Sequence, residues 1–360
     1  PVYAARVFRG KSVGEVQKLL PLLFSICGTA QACASARACE RALKRQVAPE
    51  IEALREQLVH LETVREHLWR ILLDWPVFLG EERIEGGMSG LLGIEQEYRQ
   101  LLTGGMDPFT DPARISPAQP PGQQVECAGK IEQILEQRVF GMPIEQWLQI
   151  DSSRELEAWL ESIDTVATRF LTYLMDRGWS AIGKTDILPL PALGEDDWAA
   201  AAEQEGFAAE PRWNEQCRET TSLTRSSSPL LEHYSAEYSN GLIVRLLARL
   251  NEIARLALGL REAPGEVMPE TVEPPADSVQ NPGIGQVSAA RGQLAHRVEV
   301  EGDTVLDYRI IAPTEWNFHP QGVVTRSLEG LSGDRERISQ QARLLINAID
   351  PCVAFELGVN

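Results

Sequence analysis

Apolar side chains recur every three to four residues along several stretches of the chain, which is the period of an α-helix with one buried face. In the third stretch Leu54, Leu58 and Leu61 keep this spacing. The pair Trp75-Pro76 should end that helix, because proline lacks the amide hydrogen that a helix interior needs. The predicted helices cover residues 13–23, 31–44, 51–72, 152–174, 240–260 and 333–348.

The pattern changes near the C-terminal end, where apolar and polar residues alternate. Val298 and Val300 are separated by charged residues, Gly302-Asp303 supplies a turn, and the alternation resumes at Leu306. This order predicts a β-hairpin over residues 296–310. We therefore predict an α+β protein that is predominantly α-helical, with a small antiparallel β-hairpin region near the C-terminus.

The composition limits how many domains the chain can form and which class of partner it can bind. The chain has 360 residues, 43% of them hydrophobic, which is enough for a core in one large or two modest domains. Two proline-rich segments, about 105–122 and 262–285, are expected to be irregular. The formal net charge of -18 opposes binding to nucleic acid, because phosphates require a concentrated basic surface. The expected partner is another protein.

The cellular compartment follows from cysteine usage and hydropathy. Six cysteines in a chain of this length are too sparse for a secreted fold held by disulfides. The most apolar stretch, 19–26, is much shorter than the roughly 20 residues needed to span a bilayer. An apolar leader does not follow the early basic residues. These features predict a cytoplasmic protein without a membrane span.

Two cysteines stand in motifs that keep only half of a metal-binding pair. Cys27 opens the sequence Cys27-Gly28-Thr29-Ala30, and Cys352 lies in the segment 350–355, so each is the first position of a CxxC pattern without its second cysteine. Thiolates are soft ligands suited to iron, which makes both cysteines candidate metal ligands. The alternative is that both are buried thiols without a metal. Cys33 and Cys39 are expected to be buried in a helix, and Cys127 and Cys217 remain unassigned.

The histidines and one glycine pair give weaker signals. His60 and His67 lie about two turns apart on one predicted helix, too far apart to share a metal, and we interpret them as solvated or core-edge residues. His319 could add a ligand or handle a proton, but a surface or structural role is favoured. Gly283-Ile284-Gly285 lacks the strand, turn and helix context of a dinucleotide-binding loop.

Several segments, taken in order, resemble the large subunit of NiFe hydrogenases. Ile26-Cys27-Gly28 is similar to the start of the family's RICGxC motif, and Asp350-Pro351-Cys352 matches the start of DPCxxCxxH. Residues 283–296 are similar to GxGxxEAPRGxLxHW, and residues 312–317 are similar to VPTTWN. The matched pieces cover both ends and the last quarter of the chain. The resemblance implies a single domain over residues 1–360 with the helical core of that family.

The departures from the family are also informative. The second cysteines, which bridge the two metals in the family, are replaced by Ala30 and Phe355, and the final histidine is Gly358. The Glu and Pro of EAPRG are Ser288 and Ala290. A nickel-iron catalytic centre and hydrogenase activity are therefore not expected, and Ala30 and Phe355 should close part of the nickel cavity. This erosion resembles the HupK/HoxV type of hydrogenase expression/formation (maturation) protein, a degenerate relative of the large subunit.

That second resemblance implies a function. The chain is expected to be an accessory scaffold in hydrogenase maturation that binds a transient Fe(CN)2(CO) cofactor intermediate through Cys27 and Cys352, without nickel. It would receive this iron unit from upstream hydrogenase maturation factors and pass it to the hydrogenase large subunit. The alternative is a metal-free chaperone that mimics the large subunit and holds assembly partners.

The resemblance also implies the residues that surround the iron unit. Arg291 and Thr314, with Pro313, fall on motif positions that serve the cyanide ligands in the family. Asp350 lies close to the arginine in the family, so a charge-assisted pair between Asp350 and Arg291 is expected. A structural alternative for Asp350 is that it caps the preceding helix and forms a turn with Pro351.

Overall fold

The computed structural model describes residues 4–115, 121–262, 282–352 and 355–358. The predicted α+β architecture, predominantly helical, is confirmed. The α-helices are α1 (Val13–Leu23), α2 (Gly28–Ala42), α3 (Pro49–Trp69), α4 (Trp75–Leu79), α5 (Glu85–Thr103), α6 (Pro121–Leu135), α7 (Ile144–Trp147), α8 (Ser153–Ser162), α9 (Val166–Asp176), α10 (Glu195–Glu203), α11 (Ser222–Arg225), α12 (Pro229–Tyr238), α13 (Leu242–Gly259), α14 (Pro313–Asn317), α15 (Val323–Glu329) and α16 (Arg335–Ile349). The strands are β1 (Leu188–Pro189), β2 (Arg218–Glu219), β3 (Gly283–Ala289), β4 (Gly292–Glu301) and β5 (Thr304–Ile311). Within these ranges, none of the helices combines the length and apolar character that crossing a membrane requires.

The helix predicted to stop at Trp75-Pro76 continues past that point. Helix α3 passes into a π-helical turn, Arg70–Asp74, and α4 starts directly at Trp75. Pro76 lies in the first turn of α4, where its missing amide hydrogen interrupts no helical bond. The prediction of a stop was therefore wrong. The π turn contains one residue more than an α turn, so it re-aims the side chains around Arg70.

The stretch 152–174, predicted as one helix, is two. Helix α8 ends at Ser162 and α9 begins at Val166. Thr165 and Thr168 cap the second helix reciprocally, since each side-chain oxygen accepts a hydrogen bond from the other residue's backbone N–H. A local cap of this kind starts a new helix even where the apolar period continues.

The predicted hairpin is confirmed as β4 and β5, and a third strand was missed. Strand β3 pairs antiparallel with β4, so that Gly285 lies opposite His296, and β5 pairs with the other edge of β4. Strand β3 is buried along most of both faces, so its sequence lacks the alternation that revealed the hairpin. Strands β1 and β2 form a separate two-residue parallel pair.

Parts of both proline-rich segments are more ordered than expected, while residues 105–111 are turns and irregular chain as predicted. Of the segment 262–285, the residues from Gly283 onward belong to β3, and residues 263–281 lie outside the described residues. In the segment 105–122, Pro112–Arg114 forms a 3-10 turn and α6 begins at Pro121, while residues 116–120 lie outside the described residues. The expectation of irregular structure is thus corrected at these positions.

Helix α2 lies against β3 at a distance that only glycine permits. A Cβ atom on Gly283 would stand 1.9 Å from the carbonyl oxygen of Ala38, and one on Gly285 would stand 1.9 Å from the carbonyl oxygen of Ala34. The Gly-Ile-Gly sequence is therefore a close-packing motif. Cys33 and Cys39 are fully buried on the same helix, as expected. This contact fixes the helix that starts immediately after Cys27.

Candidate functional site

Cys27 is held at the N-terminus of α2. It is the residue before Gly28, and the exposed backbone amides of the first helical turn bind the carboxylate of Glu62 on α3. Thr29 N donates to Glu62 Oε2 at 2.7 Å, and Ala30 N donates to Glu62 Oε1 at 3.0 Å. An acidic side chain at this end of a helix satisfies amides that have no helical partner. Glu62 is buried, and burial raises its pKa.

A chain of hydrogen bonds reaches the Cys27 thiol from the sheet. Gln31 Nε2 donates to Cys27 Sγ at 3.9 Å, and Gln31 Oε1 accepts from His296 Nε2 at 2.9 Å. The other ring nitrogen of His296 accepts from the Tyr308 hydroxyl at 2.8 Å. Burial lowers the pKa of His296 to about 3, so the ring is neutral and its proton stays on Nε2. The sheet therefore orients the Gln31 amide towards the thiol.

Cys352 comes to the same place from the other end of the chain. Helix α16 ends at Ile349, Asp350 adopts a left-handed backbone conformation with φ of 65°, and Pro351 follows. This turn brings the Cys352 thiol close to the Cys27 thiol, so that each thiol shifts the pKa of the other. Thr314, which belongs to α14, lies beside Cys352, and its buried hydroxyl makes no hydrogen bond within the described residues. The structure thus brings together three of the side chains singled out from the sequence.

The two thiols share their protons unequally. The hydrogen bond from Cys27, with the Arg291 guanidinium and the Thr314 hydroxyl, lowers the pKa of Cys352 to about 7 although burial opposes this. The same hydrogen bond and burial raise the pKa of Cys27 well above its ordinary value. Near neutral pH these contacts favour a Cys352 thiolate next to a protonated Cys27 thiol.

Asp350 is surrounded by arginines and is also the cap of α16. Burial alone would raise the pKa of Asp350, but Arg291, Arg70 and Arg249 hold it below its usual range. Arg70 Nε donates to Asp350 Oδ1 at 2.7 Å, whereas Arg291 Nε is 3.4 Å from that oxygen and Arg249 is 3.8 Å from the other. The expected pair with Arg291 is present as an ion pair, and the helix-capping alternative holds at the same time, since Asp350 N donates to Ile346 O.

Arg291 makes its hydrogen bond to a residue that the sequence did not reveal. Its Nη2 donates to Glu66 Oε2 at 2.9 Å, and both side chains are buried. Nε and Nη1 of Arg291 are buried and have no hydrogen-bond partner among the described residues. Buried donors without partners are costly, by about 1 to 3 kcal/mol each, and point to a missing acceptor.

Short helix α14 carries two of the residues that the sequence singled out, Pro313 and Thr314. Pro313 starts this helix and is buried, and Thr314 follows it. Asn317 anchors the helix, because its side chain bonds both backbone groups of Thr220 and the carbonyl oxygen of Arg291. The segment that carries Thr314 is thereby tied to the turn that carries Arg291.

Cys352 faces an open cavity of about 970 Å³, lined also by Arg70, Phe78, Tyr173 and Phe355. The expectation that Ala30 and Phe355 close the nickel cavity is only half met. Ala30 is fully buried, but the Phe355 side chain is 44% exposed at the cavity wall. Bulk at position 355 therefore does not seal the site. Across the described ranges, no group of three or more His, Cys, Asp and Glu side chains is arranged to hold a metal ion.

The interpretation of His67 was wrong, and for His319 burial excludes the surface position but not the structural one. His67 is fully buried rather than at the edge of the core, and its Nε2 contacts Glu252 at 2.7 Å. His319 is not at the surface, since it is 1% exposed and lies 3.2 Å from the thiol of Cys217. The structural role that was favoured for His319 remains a prediction.

Four charged residues of the site were missed from the sequence: Glu62, Glu66, Arg70 and Arg249. A signal existed for Arg249, because Arg245 and Arg249 interrupt the apolar stripe of α13 one turn apart and both are buried. Charged residues in an apolar helix indicate buried partners elsewhere in the chain. Glu62 and Glu66 lie on α3 and Arg70 on the π turn that follows it, among many charged residues, and nothing in the sequence distinguishes them.

Comparison with solved structures identifies the fold. The NiFeSe hydrogenase of Desulfovibrio vulgaris Hildenborough matches with a TM-score of 0.65 and 16% identity, over 97% of this chain and 90% of that chain. The NiFeSe hydrogenase of Desulfomicrobium baculatum matches with a TM-score of 0.63 and 13% identity, over 97% and 91%. The family model for nickel-dependent hydrogenases matches residues 244–355. The fold is that of NiFe hydrogenase large subunits.

Sequence comparison gives the narrower class. The hydrogenase expression/formation protein HoxV of Cupriavidus necator is 32% identical, over 99% of this chain and 90% of its own length. The hydrogenase expression/formation protein HupK of Azotobacter vinelandii is 26% identical, again over 99% and 90%. This chain belongs to the family of hydrogenase expression/formation proteins that includes HoxV and HupK, as the motifs predicted.

Proposed function

We propose that this protein is an accessory scaffold in hydrogenase maturation, which holds an Fe(CN)2(CO) intermediate on Cys27 and Cys352 and passes it to the hydrogenase large subunit. The observation that carries this proposal is the proximity of two thiols from opposite ends of the chain, each of which shifts the pKa of the other. The names of the relatives support the general role in hydrogenase formation. The bound iron unit is a substrate in transit, and its source would be upstream maturation factors.

The chemistry of the surrounding residues fits this substrate. Two thiolates complete part of the coordination of an iron whose other positions are filled by carbon ligands. The cyanide nitrogens accept hydrogen bonds, and the unpartnered Nε and Nη1 of Arg291 can donate them. The Thr314 hydroxyl, which follows the buried Pro313, also lowers the pKa of Cys352 and is a second donor for this substrate. The Asp350 carboxylate forms an ion pair with the Arg291 guanidinium and so helps to orient it.

Release is as important as capture for a scaffold. Only two of the family's four thiolate positions remain, so nickel lacks a ligand set and the iron unit is held incompletely. The cavity beside Cys352 offers a path by which a partner can reach the iron. With half of the thiolates absent, we expect no hydrogen oxidation by the purified chain. We place the exchange in the cytoplasm, where thiols stay reduced.

Infrared spectroscopy tests the proposal directly. The full chain is purified after co-expression with the hydrogenase maturation machinery, and the stretching bands of bound CO and cyanide are recorded. We expect these bands in the unsubstituted protein and their loss in Cys27→Ala and in Cys352→Ala, because each variant removes one of two iron ligands. Cys127→Ala is the matched control, since Cys127 is a buried thiol of the core whose sulfur donates a hydrogen bond to the Ile94 carbonyl oxygen.

A metal-free chaperone gives the opposite pattern. All four proteins would then lack the bands, and both site variants would support hydrogenase maturation as well as the unsubstituted chain does. That result would contradict the proposed iron binding, but it would still be compatible with a role in hydrogenase formation.

A further inference from the structure

Arg70 takes the carboxylate oxygen that Arg291 would otherwise use. Arg70 Nε donates to Asp350 Oδ1 at 2.7 Å, and Arg291 Nε is left 3.4 Å from the same atom without a hydrogen bond. A movement of about 0.5 Å would give Arg291 an ordinary N–H···O distance. The two arginines therefore compete for one oxygen of Asp350, and Arg70 holds it in the empty protein.

The backbone places Arg70 for this contact. It is the first residue of the π-helical turn Arg70–Asp74, a local insertion of the kind that occurs frequently at functional sites. Arg70 Nη1 donates to Asp74 Oδ2 at 2.7 Å, and Asn347 Nδ2 donates to the same oxygen at 2.9 Å. Asp74 and Asn347 thus fix the orientation of the Arg70 guanidinium. Arg70 and Asp350 both line the open cavity beside Cys352, so their ion pair lies at the wall of that cavity.

Because Arg70 occupies Asp350, Arg291 keeps N–H groups that are not hydrogen-bonded in the described part of the chain. Two nitrogens of this charged side chain, Nε and Nη1, are buried and make no hydrogen bond within the described residues, while Nη2 is fixed on Glu66. Desolvated guanidinium N–H groups are strong donors for an anionic or polar acceptor. An Arg291 paired with Asp350 through Nε would lose part of that capacity.

We propose that Arg70 is a positioning residue for the iron unit: by holding Asp350, it keeps the free N–H groups of Arg291 available to the cyanide nitrogens. This inference rests on the proposed scaffold function. A simpler role, in which Arg70 only neutralises Asp350 and Asp74, predicts loss of stability on substitution but no change in the contacts of Arg291. The two roles can be separated by spectroscopy.

The first measurement uses the loaded protein. Hydrogen bonding at the nitrogen raises the stretching wavenumber of a metal-bound cyanide. In Arg70→Gln we expect Asp350 to recapture Arg291 and at least one cyanide band to move to lower wavenumber. Arg70→Lys keeps a charged donor for Asp350 and should retain the original bands. Arg343→Gln is the matched control, because Arg343 lines the same cavity but forms no ion pair within the described residues.

The second measurement uses the empty full-length protein, so it does not depend on iron loading. Arginine labelled with nitrogen-15 reports hydrogen exchange at the Nε–H group of Arg291. In Arg70→Gln this exchange should slow by about tenfold as the group gains a carboxylate acceptor. In Arg70→Gln combined with Asp350→Asn the slowing should disappear.

The outcomes separate this inference from the function on which it rests. Absence of CO and cyanide bands in the unsubstituted chain contradicts the scaffold proposal, whereas the exchange measurement still tests Arg70. A folded Arg70→Gln protein, checked by circular dichroism, with unchanged cyanide bands and unchanged Arg291 exchange would overturn the positioning role. Equal band shifts in Arg70→Gln and Arg343→Gln would also overturn it, since they would reflect cavity charge alone.

Discussion

The two halves of the site are held in different ways. Cys27 precedes a helix whose residues Thr29 to Glu40 are all buried, and it is fixed by Gln31 and by the Glu62 carboxylate beneath the helix end. Cys352 follows a helix end, stands beside an open cavity, and depends on the ion pairs of Asp350. The position of Cys27 therefore depends mainly on the packing of α2, and the position of Cys352 depends mainly on the ion pairs of Asp350.

This difference suits a site that must both capture and release. Packing against backbone atoms is stiff, because the interior cannot relax around a changed contact. A turn beside an open cavity is packed on fewer sides than the helix end at Cys27, so it has more room to move. On the proposed function, the Cys27 half presents a fixed ligand and the Cys352 half is the part that opens.

Removing the charge of Asp350 should have the largest effect on stability. Asp350→Asn leaves Arg70, Arg249 and Arg291 without their shared carboxylate, and breaking a buried ion pair in this way costs about 3 to 5 kcal/mol. Asparagine tolerates the left-handed backbone at this position, so the loss reports charge rather than strain. Urea unfolding measures the loss, and hydrogen exchange should accelerate at the end of α16 but not in α2.

The matched control for that variant is an exposed ion pair. Asp111→Asn removes the partner of Arg114, and both side chains are largely exposed, so the change should stay within about 0.5 kcal/mol. Acceleration of exchange throughout α2 in Asp350→Asn would show that the two halves are not independent.

A glycine substitution tests the packed half. In Gly285→Ala the new Cβ would stand 1.9 Å from the Ala34 carbonyl oxygen and 2.6 Å from the Ala38 amide nitrogen, both of them backbone atoms. Helix α2 must shift, and overpacking of this kind costs about 3 kcal/mol. Because Cys27 precedes α2, the contact between the two thiols should weaken as well. Urea unfolding and thiol alkylation would report the two effects.

Gly93→Ala is the control for backbone effects. Gly93 lies within α5, and a Cβ there would meet no atom within 4 Å. Alanine should raise the free energy of unfolding by about 0.5 to 1 kcal/mol through helix propensity. If Gly285→Ala also proved neutral or stabilising, the idea of a stiff Cys27 half would fail.

The sequence predicts those elements that arise from interactions between residues close together in the chain. Amphipathic period and alternation are local, and they placed α1, α13, α16 and the hairpin. The π turn at Arg70 and the break before Val166 also have local causes, but the apolar period runs through both and conceals them. Strand β3 was hidden because burial on both faces removes the alternation.

The residues of the site also fall into two groups, those that the sequence identified and those that it did not. The thiols and the residues Arg291, Thr314 and Asp350 were found because they stand in motifs. Their supporting charges lie far away in the sequence, as in the pair of Arg70 with Asp350 or of Glu66 with Arg291. Such pairs depend on how α3 crosses the C-terminal turn, and no period or spacing within a single segment contains that information.

The last and smallest effect concerns the protons of the two thiols in the empty protein. The pKa of Cys352 is lowered to about 7, first by the hydrogen bond from Cys27 and then by Arg291, while the pKa of Cys27 is raised. The thiolate is the reactive form, so alkylation at Cys352 should rise with pH and reach half of its maximum near pH 7, whereas Cys27 should stay unreactive there. Peptide-resolved mass spectrometry after iodoacetamide treatment measures both profiles in one sample. In Cys27→Ala the Cys352 profile should move to higher pH, because its strongest stabilising partner is gone; superimposed profiles for both thiols, or no movement in the variant, would contradict an unequal pair.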